Sequence, residues 1–156
     1  MVKTGKKLKI YTDGSANKKS CGHAYVVTDE EDNIIYHDSI YTNESTNNRE
    51  EMEAILSAYR YIKGNYHDDV TIYSDSAYCV NMLNEWIENW YHAGWKKYDG
   101  KEICNLDLVE KLYRYKHMLP NVKIEKTEGH AGVKGNEIAD ALAQGKLDKF
   151  KKLLTN

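Results

Sequence analysis

Two aspartates lie where their carboxylates could act together on one ligand. Asp13 ends a strand-like run over 7–13, and Asp75 ends another over 69–75. If these strands are neighbours in an open α/β sheet, both carboxylates point into the crevice at the strand ends, where ligands bind. Turn and helix-cap chemistry also accounts for the short segments Asp-Gly-Ser and Asp-Ser, each taken alone.

Two further acids are placed by helical periodicity. Glu51 lies in the first turn of a helical segment that begins near 47, where a negative charge stabilises the helix N-terminus. That role leaves unexplained the preceding Thr-Asn-Asn-Arg, four polar groups that suit phosphates and base edges. Asp140 lies at the margin of the apolar stripe of the last helical segment, and a carboxylate there needs a partner or a metal.

The elements that must hold these acids follow the order βββ-α-β-ααα-β-α. Strands are predicted over 7–13, 22–28, 33–42, 69–75 and 122–128. Helices are predicted over 47–63, from 76 towards 95 with a break near 83–84, over about 105–118, and from 136 to roughly 149. Thr46 or Asn47 is expected to cap the first helix. This order predicts an α/β fold, with a mixed sheet of an antiparallel meander plus parallel strands and helices on both faces.

Length and composition favour one soluble domain without a membrane span. The chain has 156 residues, of which 41% are hydrophobic, and a single proline, and nothing in it looks like a linker. No apolar run approaches the roughly 20 residues that a membrane span needs, and no signal peptide is recognisable. Cys21, Cys79 and Cys104 are an odd number without CxxC spacing, which predicts free thiols and a cytoplasmic location.

The net charge of −2 does not exclude a nucleic-acid partner. Without the four acids named above, 20 acidic residues stand against 22 basic ones. Divalent cations bound by those acids would shift the balance further towards positive charge. The distribution of charge is therefore more informative than its sum.

Four segments together resemble the type 1 ribonuclease H family. They are Tyr-Thr-Asp-Gly-Ser, Thr-Asn-Asn-Arg-x-Glu, Ser-Asp-Ser and Gly-His-Ala-Gly-x-x-x-Asn-Glu-x-Ala-Asp-x-Leu-Ala, in the family's order and spacing over about 7–148. The resemblance implies a ribonuclease H-like fold with a five-stranded mixed sheet, in a single domain spanning 1–156. It implies an endoribonuclease that hydrolyses the RNA strand of RNA–DNA hybrids and leaves 5′-phosphate and 3′-hydroxyl ends.

The resemblance makes Asp13, Glu51, Asp75 and Asp140 a catalytic quartet that binds two Mg²⁺ ions, with Mn²⁺ as an expected substitute. Hard oxygen ligands suit Mg²⁺, and a pair of such ions clamps the attacking and leaving oxygens of an in-line displacement. By the same resemblance Asp13 bridges both ions, Asp140 joins the water-activating one, and the other two acids hold the second. Glu51 is preferred to Glu50 because the family places one residue between the arginine and the catalytic glutamate.

The resemblance also assigns roles outside the quartet. His130 is expected to assist proton movement or product departure rather than to bind metal. Asn47 and Asn48 are expected at minor-groove edges of the hybrid, and Thr46 and Asn105 at a phosphate of the DNA strand. Asn105 is equally suited to cap the helix that begins there. The other histidines lack ligand spacing and are interpreted as structural or surface residues: His23, His37, His67, His92 and His117.

The segment 84–105 matches the family's basic protrusion in length but not in charge. Trp86, Trp90 and Trp95 match its aromatic positions, although the first two, at i and i+4, could equally pack the helix. Lys96 and Lys97 are expected to reach phosphates. The segment has three lysines against four acids, and Tyr-His-Ala stands at 91–93, where relatives often have consecutive Lys or Arg. The sequence therefore predicts modest hybrid affinity with a shallow salt dependence.

Other classes of protein share the expected fold, since fold does not determine function. Transposases, resolvases and exonucleases lack this combination of motifs. A non-catalytic hybrid-binding module is disfavoured because all four acids are present. An excised part of a reverse transcriptase is disfavoured because no polymerase-connecting segment is recognisable. The expectation is a stand-alone, monomeric enzyme whose partner is an RNA–DNA hybrid and not a membrane.

Overall fold

A five-stranded mixed sheet forms the centre of the fold in the computed structural model, which describes residues 7–65, 69–127 and 134–155. The spatial order of the strands is β3-β2-β1-β4-β5. β1 pairs antiparallel with β2, and β2 with β3, whereas β4 pairs parallel with β1 and β5. The strands are β1 Lys7–Ala16, β2 Cys21–Thr28, β3 Ile34–Thr42, β4 Asp69–Ser74 and β5 Val122–Lys126.

Helices cover both faces of the sheet. Alternate residues of β1 divide between two cores, because successive side chains of a strand point to opposite faces. Leu8 and Ile10 belong to the larger core with α1 and α4, whereas Tyr11 belongs to the smaller one with α5. The helices are α1 Asn47–Gly64, α2 Ala77–Asn81, α3 Ile87–His92, α4 Leu106–Met118, α5 Lys134–Ala143 and α6 Leu147–Thr155, with a π-helical segment Met82–Trp86 between α2 and α3. This architecture confirms the predicted fold class.

The first helix begins where the sequence indicated. Thr46 is the N-cap of α1, and its hydroxyl accepts a hydrogen bond from the Arg49 N–H at 3.2 Å. Met52, Ile55 and Tyr59 are fully buried at the helical spacing that the sequence showed. Each such side chain contributes about 1.5–3 kcal/mol by leaving water, so the buried stripe anchors α1 to the sheet.

The structure corrects several of the predicted boundaries. The expected single last helix is two helices, because Gly145 has a φ of +72° and ends α5, with the Lys146 N–H donating to the Ala141 carbonyl at 2.9 Å. β1 does not end at Asp13 but continues to Ala16 by pairing with β2. The expected break near 83–84 is the π-helical segment, which widens the helix without ending it.

Two further sequence predictions concern the cysteines and membrane association. All three cysteines are free; Cys21 and Cys79 are buried and Cys104 is exposed. Within the described ranges, no helix has the length and apolar character needed to cross a bilayer.

Candidate active site

Parallel pairing places Asp13 beside Asp75. β1 and β4 are in register up to the pair Thr12 and Ser74; Asp13 is the next residue of β1, and Asp75 directly follows the end of β4. The two strands are therefore neighbours, as the crevice prediction required, and the two carboxylates lie at the same end of the sheet. Asp13 is buried and Asp75 is exposed.

A close approach of α1 to β1 brings Glu51 to the same place. A Cβ at Gly14 would overlap the backbone of Glu50 and Glu51, so only glycine allows the strand to touch the first turn of the helix. The Gly14 N–H donates to Glu51 Oε1 at 2.7 Å, and Ser74 Oγ lies 3.3 Å from Glu51 Oε2. Oxygen atoms of Asp13, Glu51 and Asp75 all lie within 4.8 Å of one another.

The fourth acid reaches the cluster from the opposite face of the sheet. α5 packs closely on β1, because Gly135 lies against the Tyr11 ring where a Cβ would overlap it. Asp140, further along α5, is close enough to Asp13 to raise the pKa of that carboxyl. Gln144 Nε2 donates to Asp140 Oδ1 at 2.7 Å. Asp13 thus has three acidic neighbours, Glu51, Asp75 and Asp140.

The chemistry of this cluster fits divalent cations. Burial raises the pKa of Asp13 far above that of an ordinary carboxyl, and the neighbouring carboxylates of Glu51, Asp75 and Asp140 raise it further. Burial likewise raises the pKa of Glu51 to about 7. Like-charged groups this close resist joint ionisation unless a positive charge joins them. The donor set is entirely carboxylate oxygen, which suits hard cations such as Mg²⁺.

Glu50 points away from the cluster, as the choice of Glu51 required. Its side chain is buried, with Oε1 3.0 Å from His23 Nδ1 and Oε2 accepting from Ser45 Oγ at 2.7 Å. The sequence interpretation took His23 as structural or surface, and it is buried. No spacing signal could pair it with Glu50, because the two residues are 27 positions apart.

Several residues expected to contact a hybrid are at least partly exposed at the starts of α1 and α4. Thr46, Asn47 and Asn48 are exposed at the start of α1, and Asn47 Oδ1 accepts from the Ala16 N–H at 2.8 Å. Asn105 precedes α4 with a φ of +56°.

The alternative capping role of Asn105 is only half correct. It occupies the N-cap position of α4 but makes no side-chain capping bond. Its Oδ1 accepts from Arg49 Nη1 at 3.2 Å, and the same guanidinium binds both carboxylate oxygens of Asp107, at 3.1 and 2.7 Å. Arg49 therefore ties the start of α1 to the start of α4.

The three tryptophans pack to different degrees. Trp90 is buried in the larger core, while Trp86 is half-buried between Trp90 and Tyr78. Trp95 contacts the Tyr91 ring edge to face.

The lysines of the protrusion lie beside these rings. Lys97 lines a surface cavity of about 400 Å³ together with Trp86 and Trp90. Lys96 is exposed and pairs its backbone with Glu102 in an isolated bridge. Each of the two lysines lines a surface cavity together with Trp86 and Tyr98. The loop with His130 lies outside the described residues.

The fold and the acidic cluster define an α/β protein with a carboxylate site suited to divalent cations. The RNase H family model matches residues 5–148, and the chain belongs to this family. It is 31% identical over 153 residues to a ribonuclease H of Caldicellulosiruptor saccharolyticus, covering 94% of this chain and 99% of the relative. It is 35% identical over 155 residues to a ribonuclease H of Orientia tsutsugamushi, covering 92% and 84%.

Solved structures resemble this one over nearly its whole length. LC11-RNase H1 in complex with an RNA/DNA hybrid is 27% identical, with a TM-score of 0.67 over 91% of this chain and 97% of that one. The solution structure of the PFV RNase H domain has a TM-score of 0.76 over 92% and 94% at 17% identity, a likeness of fold alone. Family membership implies use of a divalent metal, for which Asp13, Glu51 and Asp75 can provide ligands.

Proposed function

We propose that the protein hydrolyses the RNA strand of RNA–DNA hybrids with two divalent cations and leaves 5′-phosphate and 3′-hydroxyl ends. One observation carries the proposal. In a chain of the RNase H family, oxygen atoms of Asp13, Glu51 and Asp75 lie within 4.8 Å of one another, and Asp140 is close enough to Asp13 to raise its pKa. A hybrid-binding module without catalysis would have no need to maintain so repulsive a group of carboxylates.

The four carboxylates are proposed as the metal ligands, with Mg²⁺ as the native cation and Mn²⁺ as a substitute. Bound cations would polarise the scissile phosphate and lower the pKa of the attacking water. Asp13, between the other acids, is suited to bridge two sites. Glu51 and Asp75 would complete one site and Asp140 the water-activating one. The backbone N–H of Gly14 and the hydroxyl of Ser74 hold the Glu51 carboxylate in orientation.

Recognition of the hybrid is proposed to use the exposed start of α1 and the protrusion 84–105. A protein distinguishes RNA from DNA at one site through the 2′-hydroxyl, and side-chain amides can both donate to it and accept from it. Asn47 and Asn48 are exposed next to Glu51 and suit this task. Thr46 and Asn105 are proposed at a DNA-strand phosphate, as are Lys96 and Lys97. The partly exposed rings of Trp86 and Trp95 would support the sugar–phosphate chain, whereas Trp90 is buried and packs against Trp86.

Three further proposals complete the function. His130 assists proton movement or product departure, which a loss of turnover without a loss of affinity in His130→Ala would support. The chain acts as a single catalytic domain over 1–156, as a monomer. The cytoplasm is its proposed location, in keeping with three free thiols.

The test is cleavage of an end-labelled RNA–DNA hybrid beside matched RNA–RNA and DNA–DNA duplexes, with Mg²⁺ and with EDTA. Cleavage of the RNA strand in the hybrid alone, only with the metal and with 5′-phosphate products, is the expected result. Equal cleavage of the DNA duplex would point to a different nuclease. Hybrid binding without cleavage at any Mg²⁺ or Mn²⁺ concentration would make the chain a binding module.

A further inference from the structure

A buried polar cluster lies directly behind the carboxylate site. It consists of His23 on β2, Glu50 in the first turn of α1 and Ser45 just before that helix. His23 and Glu50 are 3% and 2% exposed, so both are almost entirely removed from water. His23 Nδ1 lies at hydrogen-bond distance from Glu50 Oε1, 3.0 Å, and Ser45 Oγ donates to Glu50 Oε2 at 2.7 Å.

The cluster is connected to Glu51 by the chain and by the sheet. Glu50 and Glu51 are consecutive, and their side chains leave α1 in different directions, one towards His23 and the other towards Asp13. His23 pairs with Gly14 across β1 and β2, and the Gly14 N–H binds the Glu51 carboxylate. His23, Glu50, Glu51 and Gly14 thus form a closed circuit of covalent, sheet and hydrogen-bond links.

Packing alone does not account for these residue types. A buried carboxylate is costly unless hydrogen bonds compensate it, and an apolar pair of similar size would fill the same space without that cost. His23 Nε2 is also buried and has no hydrogen-bond partner among the described residues. Directional bonds, unlike apolar contacts, fix the rotation of a helix about its axis. The polar pair is therefore suited to fixing an orientation.

A cavity beside the cluster weakens the restraint that close packing places on this side of the first turn of α1. A cavity of about 260 Å³ opens beside His23, Ser45 and Glu50, lined further by Glu44 and Glu53. Protein interiors resist movement because neighbouring side chains fill them closely, and that restraint is weak beside a cavity. Loss of the cluster would let the first turn of α1 shift towards this space.

We propose that His23, Glu50 and Ser45 form a positioning unit that orients the first turn of α1 and thereby sets the divalent-metal affinity of the Glu51 site. The inference rests on the proposed function, because it concerns the ligands named there. None of the three residues is a metal ligand. They act through the backbone that Glu50 shares with Glu51.

Calorimetric titration of the metal-free protein with Mg²⁺ measures the metal affinity directly and tests the positioning unit without relying on activity. Glu50→Met removes both hydrogen bonds, whereas Glu50→Gln can still accept from His23 and hydrogen-bond to Ser45. Residues behind metal ligands typically account for about 10–100-fold in affinity, so we expect Glu50→Met to weaken Mg²⁺ binding by about 10-fold or more. Glu50→Gln should retain most of the wild-type Mg²⁺ affinity. Melting temperatures are recorded for each variant.

A second variant and a control keep the test independent of stability. His23→Phe combined with Glu50→Met replaces the pair by apolar groups, which restores packing but not orientation, so Mg²⁺ affinity should stay low. Leu112→Ala removes a fully buried side chain of α4 and should lower the melting temperature without changing Mg²⁺ affinity. Unchanged affinity in Glu50→Met, or an equal loss in Leu112→Ala, would overturn the inference. Failure of the wild type to cleave hybrids, with these affinities as expected, would count against the proposed function alone.

Discussion

At the residue scale, the carboxylate site combines burial with mutual repulsion. Asp13 is 5% exposed and has three acidic neighbours, Glu51, Asp75 and Asp140. Such a group lowers the stability of the metal-free protein, because folding brings like charges together and removes them from water. Function and stability are therefore opposed at this position.

Asp75→Asn should separate catalysis from binding. The amide keeps the shape of the carboxylate but loses the charge that attracts a cation. We expect cleavage to fall by more than about 100-fold, since even residues behind metal ligands account for about 10–100-fold in activity. Hybrid affinity should remain within a few-fold of the wild type. Asp38→Asn, which changes an exposed aspartate of β3, is the control and should cleave normally. Full activity in Asp75→Asn would show that this acid is not needed as a metal ligand.

Asp13→Asn should stabilise the metal-free protein. The pKa of Asp13 is raised in the folded state, so the folded protein resists losing that proton and stability falls as pH rises above the usual range of a carboxyl. The substitution removes this dependence, and each kcal/mol gained raises the melting temperature by about 2–4 °C in a chain of this size. Thermal unfolding of both proteins in EDTA between about pH 4 and pH 8 measures how the melting temperature depends on pH. A lower melting temperature than the wild type at neutral pH would contradict the repulsion argument.

At the element scale, the π-helical segment is held by contacts from two other elements. Lys116 Nζ on α4 donates to the Leu83 carbonyl at 2.7 Å and lies 3.3 Å from Glu88. Asn84 Nδ2 donates to the carbonyl of Ile124 in β5 at 2.9 Å. The segment thus accepts a side-chain donor at the Leu83 carbonyl and donates through the Asn84 side chain, and these two bonds fix the direction in which α3 follows it.

Lys116→Met should loosen the protrusion and weaken hybrid binding. The variant keeps the length of the side chain but loses the donor to Leu83, a bond of about 1 kcal/mol, or roughly fivefold in affinity if the protrusion must be ordered to bind. Cleavage at saturating hybrid should not change, because the carboxylates are untouched. The control is Lys111→Met. Lys111 is an exposed lysine of the same helix, so this variant removes the same charge but leaves the bond to Leu83 intact. Equal weakening by both variants would assign the effect to charge.

The elements also show where sequence patterns were sufficient. Local spacing predicted the cap of α1 at Thr46, the buried stripe of that helix and all five strands. Caps and periodicity are properties of residues that are neighbours in the sequence. The end of α5 at Gly145 was missed, since glycine within a helical pattern is tolerated and its positive φ is not visible in the pattern.

At the scale of the whole molecule, the surface charge should govern hybrid affinity. The protrusion carries three lysines against four acids, and Glu88 is engaged by Lys116 and His117. Tyr91 stacks on Tyr113 with ring centroids 4.5 Å apart, so it is part of the packing of the protrusion. His92 and Ala93 are exposed and are the positions at which charge can be added.

His92→Lys combined with Ala93→Lys should tighten hybrid binding and steepen its salt dependence. Each new phosphate contact changes the slope of log K against log salt by about −0.9, if a hybrid behaves like a B-form duplex. Binding is measured across a salt series in the Asp75→Asn background, which prevents cleavage. Glu30→Gln with Glu31→Gln adds the same charge at the turn between β2 and β3 and should leave the slope nearly unchanged. Coincident slopes for all three proteins would mean that the protrusion does not contact the hybrid.

The sequence by itself determined the family motifs, the order of elements and the four acids, because these depend on residue type and short spacing. Tertiary structure alone decided which contacts join them. The pairing of His23 with Glu50 spans 27 residues, and the link from Arg49 to Asn105 and Asp107 spans more than 50. No periodicity encodes such pairs, since they arise only when β2 lies beside β1 and α4 packs on α1. The physical reason is that hydrogen bonds depend on distance in space, which the packed sheet and helices create.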